Sequence, residues 1–481
     1  MKWPRGSRSG GLGAILCLVA GGATGCVSSS IAGDVGRVRE LTRIEGLTHV
    51  ADVDVDPVAA EDARRLLQQP LDADTAVRVA LLNNRELRAT LREMGIARGR
   101  LIQAGLLPNP VVEAELLPER NTQLELRAEY DITSAILAPF RARAAEPELE
   151  AARYRAAAAV VELGFRVRAA FYRLQSAEQR LGIAQRVLDA YAAGRDAARA
   201  MFEAGNVPEL DVASQEIAYE RARITVAQLE LEVATERERV QRLLGAHGTD
   251  TAWRVQGELP AVAERPPLPN DLETQALRAS LDLRETRQRL EGLARRAGVT
   301  RTAGWLPDIT ADVHALQGDP EAPEEPSTDV DWGFGAGVSV GIPLFDRRQG
   351  TATALEAEFD ALMERYYGMA VDLRSATREA ASRVSSAHAR ARQYQEIIVP
   401  AQGRVSAQTL LQYNAMQLGI FQLLQARREE LDVQLAYVET LREYWSSVAE
   451  LDALLAGKSV TPDARAVNAS MGGSGESAGG H

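Results

Sequence analysis

The sequence predicts a mainly α-helical chain with a small membrane-facing β-sheet, built from two similar halves. The phrase "GLLPNPVVEAEL" starts at Gly105, and its counterpart "GWLPDITADVHAL" starts at Gly304, 304 − 105 = 199 residues later. A segment with the periodicity of an amphipathic helix precedes each copy, and a segment of alternating apolar and polar residues follows each copy. Repetition of this size indicates an architecture of two duplicated units.

Long helices account for most of both halves. Helical patterns are found at residues 74–104, 141–204, 209–244 and about 350–415, and in a last stretch that ends at 455. Apolar residues recur every three or four positions from Leu355 to Ile398. This period predicts a coiled-coil seam, and at ~1.5 Å per residue such helices suit a rod or tube.

Six regions follow from the repeat and its flanks. They are a signal peptide, an extended N-terminal segment, a first repeat, a linker, a second repeat and a disordered tail, at residues 1–25, 26–70, 71–245, 246–269, 270–456 and 457–481. The linker is rich in Pro and Gly, and the tail has a composition that cannot bury a core.

The N-terminus has the features of an export signal. Basic residues precede a short apolar run that ends in "ATGCVSSS". Small residues before Cys26 resemble a bacterial lipobox, although Ala23 stands where Leu is usual, so we predict that Cys26 is acylated. The alternative is ordinary cleavage nearby, which leaves Cys26 as a free thiol. In either case the mature chain keeps one Cys and forms no intrachain disulfide.

The alternating segments predict membrane strands. In "LELRAEYDI" (Leu124–Ile132) and "VDWGFGAGVSVGI" (Val330–Ile342), one side is apolar and the other is polar or glycine. This period of two is typical of a transmembrane barrel, with lipid outside and water inside. A soluble hairpin with one wet face is the alternative reading, but two duplicated hairpins in an exported chain favour the barrel. An acidic loop is expected at Gly318–Asp329.

Four strands cannot close a barrel alone, because open edges are not tolerated in hydrocarbon. Small membrane barrels need about eight strands, and three chains would supply twelve. The strand count therefore predicts assembly, most simply as a symmetric ring. Beyond the signal region, no stretch reaches the ~18 consecutive apolar residues of a transmembrane helix.

Several motifs together resemble the outer-membrane efflux family of TolC-like channels. They are "ALLNNRELRA", "AGLLPNP", "GWLPDI", "GVSVGIPLFDRR", "FEAGNVPELDV" and "YNAMQLGIFQLLQAR". The resemblance covers about Leu71 to Leu455 and implies a homotrimer with a twelve-stranded barrel and a long helical tunnel in the periplasm. It also implies a periplasmic adaptor, an inner-membrane transporter, a lipid anchor at Cys26 and an outer-membrane location.

Composition and motifs argue against catalysis and nucleic-acid binding. The net charge is −12, whereas nucleic acids and anionic lipid surfaces need clustered Lys and Arg. The five His residues are scattered without metal-ligand spacing, and no nucleophile motif occurs. We therefore predict no enzyme activity, no cofactor and no metal site. The open hypotheses are an efflux duct for small molecules or ions, a protein-secretion channel and a periplasmic coiled-coil scaffold without a pore.

Two breaks in the helices are predicted to form the periplasmic tip. In the family these turns contact the adaptor, and the matching residues here are Gly205, Asn206, Val207, Leu418 and Gly419. The simpler reading, which is compatible, is two helical-hairpin turns whose glycines supply positive φ.

The family resemblance also places a pore entrance just after the second tip. Gln422 and Gln425 stand where well-known members carry two aspartates, and in the first repeat Asp211 remains, with Glu209 nearby. Residues three apart share a helix face, so the two glutamines are predicted to form neutral amide rings in a trimer. Asp211, or another acid on a neighbouring helix, is the alternative source of a negative field.

Overall fold

The computed structural model describes residues 31–42, 57–117, 123–317 and 332–459. Cys26, the predicted signal peptide and the predicted loop at 318–329 lie outside these ranges, as do all but three residues of the predicted tail. Helices precede, separate and follow two β-hairpins. The helices are α1 Ala32–Thr42, α2 Pro57–Leu67, α3 Ala73–Asn83, α4 Arg85–Gly105, α5 Ile132–Glu203, α6 Glu209–Leu244, α7 Leu272–Ala279, α8 Leu281–Ala303, α9 Gln349–Gln393, α10 Val399–Asn414 and α11 Ile420–Leu455.

The prediction of an extended segment over residues 26–70 is wrong where the structure describes it, because α1 and α2 lie there. The carboxylate of Asp34 on α1 is fully buried and accepts hydrogen bonds from Arg98 at 2.7 and 2.8 Å and from Arg153 at 2.6 and 2.9 Å. This long-range ion cluster holds α1 against α4 and α5, and no local sequence pattern reveals it. Burial raises the pKa of Asp34, but the hydrogen bonds from Arg98 and Arg153 outweigh it, so the pKa lies below its ordinary value.

Each half contains a helix break that the periodicity does not predict. Asn84 ends α3 and starts α4, and its side chain accepts a hydrogen bond from the Leu87 amide. Ser280 separates α7 from α8 in the same way and accepts from the Leu283 amide. Both are side-chain caps at a helix start, so the duplication extends to the capping chemistry.

The helix α5 is 72 residues long and begins at Ile132, earlier than the predicted Arg141. The Asp131 side chain accepts a hydrogen bond from the Ser134 amide at 2.7 Å and caps the first turn. Pro139 and Pro147 lie inside the helix, although each removes a backbone donor. Packing against α4, α6, α8 and α11 supports α5 along its length and outweighs those losses.

Both predicted hairpins form, and they join into one antiparallel sheet of order β1-β2-β3-β4. The strands are β1 Val111–Leu117, β2 Gln123–Asp131, β3 Asp308–Gln317 and β4 Trp332–Gly341. Strands β2 and β3 are paired from Leu124↔Gln317 to Asp131↔Thr310, so the hairpins of the two halves meet in the middle of the sheet. Strands β1 and β4 are the edges.

The coiled-coil seam from Leu355 to Ile398 is confirmed, since its regularly spaced apolar residues are buried or half-buried along α9 and the turn that follows it. A π-helical turn at Tyr394–Ile398 separates α9 from α10. Pro400 is the second residue after this turn and has no amide hydrogen to continue the regular bonding pattern. Residues 399–414 and 420–455 then form the second helical hairpin.

The C-terminal end of the second half contacts both the start of α8 in the same half and α5 in the first half. The Leu281 amide donates to the Gly457 carbonyl at 2.8 Å. The ammonium of Lys458 lies 3.1 Å from Asp282 and 3.8 Å from Glu162 on α5. One apolar core surrounds α3, α4 and the middle of α5, and a second lies between α9 and α11.

Candidate functional site: the channel wall and the helical tips

The first tip is a tight turn between α5 and α6. The amide of Gly205 donates to Phe202 and that of Asn206 to Met201, both at 2.8 Å, while Gly205 adopts φ 75°. These two hydrogen bonds satisfy carbonyls in the last turn of α5. They require one residue with left-handed backbone conformation, which glycine adopts at low cost. Pro208 is the N-cap residue of α6.

The second tip has the same geometry with a different residue in the left-handed position. The amide of Met416 donates to Tyr413 and that of Gln417 to Gln412, both at 2.9 Å. Met416 adopts φ 61°, whereas Gly419 has φ −80° and caps α11. The expectation that glycine supplies the positive φ is therefore confirmed at Gly205 and wrong at Gly419. Sequence reasoning missed Met416, since no pattern marks a methionine for this conformation.

Close helix packing places both tips at the same end of the molecule. A side chain on Gly194 of α5 would lie 2.6 Å from Leu424 of α11, so the glycine lets these helices approach. Across the first hairpin, Arg195 stacks 4.2 Å from the ring centre of Tyr219. The predicted tip residues Gly205, Asn206 and Gly419 are exposed, and Val207 and Leu418 are half-buried.

The predicted entrance residues are bound within their own chain. The side-chain oxygen of Gln422 accepts the Gly419 amide at 2.6 Å and so satisfies the N-cap amide of α11, whereas Gly419 has no side chain to return a second bond. The amide nitrogen of Gln425 donates to Glu429 at 3.2 Å. Asp211 occupies the equivalent third position of α6, where Pro208 offers no amide to cap, and Glu209 is the first residue of that helix. Whether Gln422 and Gln425 face a shared entrance stays a prediction.

The polar side of the sheet carries an excess of carboxylates. Its acidic residues are Glu113, Glu115, Glu125, Glu129, Asp131, Asp308 and Asp312. Its one arginine, Arg127, is 3.2 Å from Glu125, and His314 is 3.2 Å from Asp312. With His neutral, the formal charge of this face is 1 − 7 = −6 per chain.

Glycines on β4 leave room above the two polar residues of β3. Gly335 lies opposite His314, and Gly337 lies opposite Asp312. A side chain on Gly335 would collide with the His314 ring, and one on Gly337 would lie 2.5 Å from an Asp312 carboxylate oxygen. The glycines therefore let these polar side chains lie across the face of β4.

The other side of the sheet is apolar and open. Leu126, Val313, Phe334, Val338 and Val340 all lie on it and are exposed, with Phe334 76% exposed. Exposed apolar surface of this extent beside a polar opposite face is the arrangement of a barrel strand in lipid.

No group of three His, Cys, Asp or Glu side chains able to hold a metal occurs in the part of the chain that the structure describes. His388 is buried and bonds to the Ala263 carbonyl at 2.8 Å, a structural role. Within the same described ranges, no helix is long and apolar enough to cross a membrane.

An antiparallel four-stranded sheet with one polar face, continuous with helices up to 72 residues long, defines a membrane channel with a long helical extension. The family model described as "Outer membrane efflux protein" matches residues 113–246 and 272–457. The chain belongs to the outer membrane efflux protein family. It is an exit duct in the outer membrane that extends into the periplasm, of the kind used by tripartite efflux pumps, and the scaffold hypothesis is thereby set aside.

Similar proteins agree with this assignment. The chain is 23% identical over 395 residues to the cobalt-zinc-cadmium resistance protein CzcC of Cupriavidus metallidurans, covering 80% of this chain and 90% of CzcC. The outer-membrane channel OprN has a TM-score of 0.65 at 21% identity, over 82% of this chain and 91% of OprN. The CmeC outer-membrane channel of Campylobacter jejuni has a TM-score of 0.66 at 15% identity, over 83% of this chain and 88% of CmeC. These structural likenesses show the fold.

Proposed function

We propose that this protein is the exit duct of a pump that exports divalent metal cations. The observation that carries the proposal is the polar face of the sheet, with seven carboxylates against one arginine. Rings of carboxylates in a pore attract cations and repel anions. The similarity to a protein named for cobalt, zinc and cadmium resistance supports the same cargo class.

The channel is proposed to be a homotrimer. Edge strands β1 and β4 have open backbone donors and acceptors, which a membrane does not tolerate. On α6, the exposed residues Leu210, Ile217, Ile224 and Leu231 recur every seven positions, which is the spacing of a coiled-coil stripe. A second and third copy of the chain would cover both surfaces, and three sheets would supply twelve strands in one barrel.

The two tips are proposed to contact a periplasmic adaptor that links the duct to an inner-membrane transporter. Residues 405–426 contain no Asp, Glu, Lys or Arg, although charged residues make up 25% of the chain. Met416 at the turn is 95% exposed. An uncharged and partly apolar surface at the end of a hairpin suits a protein partner that recognises it by shape and apolar contact.

A lipid anchor at Cys26 is proposed as a second attachment to the membrane. Ile31 packs beside Gly95, and Gly95 lies ten residues before Gly105, where α4 ends near the sheet. Ten helical residues rise about 15 Å. The five residues from Ile31 back to Cys26 can span about 17 Å when extended, so an acyl group at Cys26 can reach the level of the sheet.

Cys26→Ala tests the anchor and the barrel separately. The variant should be released from membranes more readily by mild extraction but should still form pores, because one or two acyl chains add to, rather than replace, barrel insertion. Mass spectrometry of the mature N-terminus of the unsubstituted chain detects the acyl groups directly. Complete loss of membrane association in Cys26→Ala would contradict a membrane-inserted barrel.

Planar-bilayer recording tests the cargo class. The trimer should prefer potassium over chloride, and combined Glu113→Gln, Glu115→Gln, Glu125→Gln and Glu129→Gln should reduce that preference severalfold. A matched control is Glu258→Gln, an exposed carboxylate in the linker. In cells, loss of the protein should lower tolerance to zinc, cobalt or cadmium. Unchanged tolerance together with loss of a secreted protein would instead support the protein-secretion alternative.

A further inference from the structure

A group of large apolar side chains is exposed where the sheet joins the helices. Trp305 precedes β3, and Ile342, Leu344 and Phe345 follow β4; their exposed fractions are 71%, 69%, 64% and 91%. We call these four residues the junction belt. Apolar groups of this size rarely face water together without a partner.

The turn that carries Phe345 is held in one shape by its own hydrogen bonds. The Arg348 amide donates to the Asp346 carboxylate and the Arg347 amide to the Gln349 side chain, both at 2.8 Å. The Gln349 side chain in turn donates to the Phe345 carbonyl at 3.1 Å. Phe345 is therefore fixed in its exposed position by a bonded turn.

The turn is also fixed against the end of α8. A side chain on Gly304 would collide with the carbonyl of Arg347, so only glycine permits this close approach. The guanidinium of Arg347 lies 4.6 Å from the ring centre of Trp305, a cation–π contact. This contact places a fixed positive charge directly beside the apolar residues, with Arg348 next to it in sequence.

We propose that the junction belt binds phospholipid of the inner leaflet of the outer membrane. Leu344 and Phe345 lie at the acyl boundary, and Arg347, stacked on Trp305, pairs with headgroup phosphates. Tryptophan and arginine are the side chains that suit this boundary, because each has an apolar body and a polar end. The inference goes beyond the duct function and does not depend on cargo or adaptor.

Two features favour lipid over a second copy of the chain. The belt continues the apolar face of β4, on which Val338 is 68% exposed and faces lipid in any closed barrel. On the helical side, the exposed ion pair of Arg301 and Glu356 begins a surface suited to water. The net charge of −12 argues against a broad basic surface for anionic lipid, but Arg347 and Arg348 form a local positive pair between these zones that complements the phosphate layer.

Spin labels at single cysteines measure the depth of the belt. Phe345→Cys, Val338→Cys and Glu258→Cys are labelled in reconstituted trimers, and the unsubstituted chain is labelled in parallel to subtract any signal from Cys26. Oxygen partitions into lipid and a nickel chelate into water. The label at 345 should be accessible to oxygen and protected from nickel, as at 338, whereas the label at 258 should show the reverse. Nickel access equal to that at 258 overturns the proposal, and protection from both probes means that a second copy covers the belt, which also overturns it.

Lipid headgroup dependence tests the arginines independently. The temperature of trimer dissociation should be several degrees higher in phosphatidylglycerol vesicles than in phosphatidylcholine vesicles. Arg347→Gln combined with Arg348→Gln should abolish that difference. Arg199→Gln, which removes an exposed ion pair with Glu216 far along α5, should leave it intact. A difference that persists in the double variant would contradict phosphate binding by this turn.

Discussion

Gly205 and Met416 occupy the same position in the two tip turns, and both adopt left-handed backbone, with φ of 75° and 61°. Glycine tolerates this conformation, whereas a methionine side chain crowds its own carbonyl there. Because the strain is retained at an exposed turn, we attribute it to the contact surface that Met416 presents.

Met416→Gly should raise the stability of the second hairpin by about 1 kcal/mol, because it relieves the left-handed strain. Thermal unfolding followed by the helical circular dichroism signal measures this change. The matched variant Gly205→Ala should lower stability by a similar amount. Export should fall in Met416→Gly despite the gain, and a stable variant with full export would show that the side chain has no role in docking.

Gly419→Arg and Val207→Arg should abolish export without affecting trimer assembly. Each puts a large charge into a surface predicted to contact the adaptor, and a desolvated, unpaired charge is strongly unfavourable at an interface. Export assays and native gel mobility report the two effects separately. Glu258→Arg in the linker serves as the control. Normal export by both tip variants would exclude docking at these turns.

Gln422→Asp combined with Gln425→Asp should create strong block by divalent and trivalent cations from the periplasmic side. Three chains would present six carboxylates in place of neutral amides. Single-channel recording in a planar bilayer measures the block. If the unmutated channel is already tightly blocked and Asp211→Asn relieves the block, the gate lies in the first repeat instead.

Asp34→Asn should lower the free energy that holds α1 against α4 and α5 by about 3 kcal/mol, because Arg98 and Arg153 lose their shared carboxylate. Limited proteolysis of the purified trimer should cut this variant within residues 31–42 faster than the unsubstituted protein. Arg37→Gln, which removes an exposed pair with Glu40, should have no effect. Equal cleavage rates in all three proteins would contradict a stabilising role for the cluster.

The same cluster gives a pH dependence with a defined sign. The pKa of Asp34 is lower in the folded protein than in the unfolded chain. Its ionised carboxylate therefore stabilises the fold fully at pH values above the unfolded pKa, and this stabilisation is lost as the pH falls through the folded pKa. Protease resistance of α1 should therefore be constant near neutral pH and decline only below about pH 4. Asp34→Asn should not show this step.

The sequence predicts the repeats, the hairpins and the long coiled-coil seam because each produces a regular pattern of apolar and polar residues within a short stretch of sequence. The first turns of α5 were missed because Pro139 breaks that pattern, while the contacts that support the helix come from distant segments. The Asp34 cluster joins residues 64 and 119 positions apart, which no local pattern encodes.

At the tips, the turns were predictable and the conformations within them were not. The interruptions of the helical pattern locate both turns. The preference of glycine for positive φ, however, predicts Gly419 at the left-handed position, whereas the structure has Met416 there. The Gln422 cap also depends on the local geometry of Gly419, which composition does not specify. The junction belt was missed because its residues look like ordinary strand ends until their exposure is known.

Lys458, which closes the second half onto Asp282 and Glu162, is the single lysine beyond residue 2 of the sequence. Every other basic side chain of the predicted mature protein except histidine is arginine, which stays charged to about pH 12 and above. The positive charge of the channel therefore stays almost constant over the range in which bacteria live, and only carboxylates and histidines can make its electrostatics respond to acid. An amine-directed reagent would find one lysine side chain per mature subunit, beside the start of α8 and the middle of α5 and far from either tip.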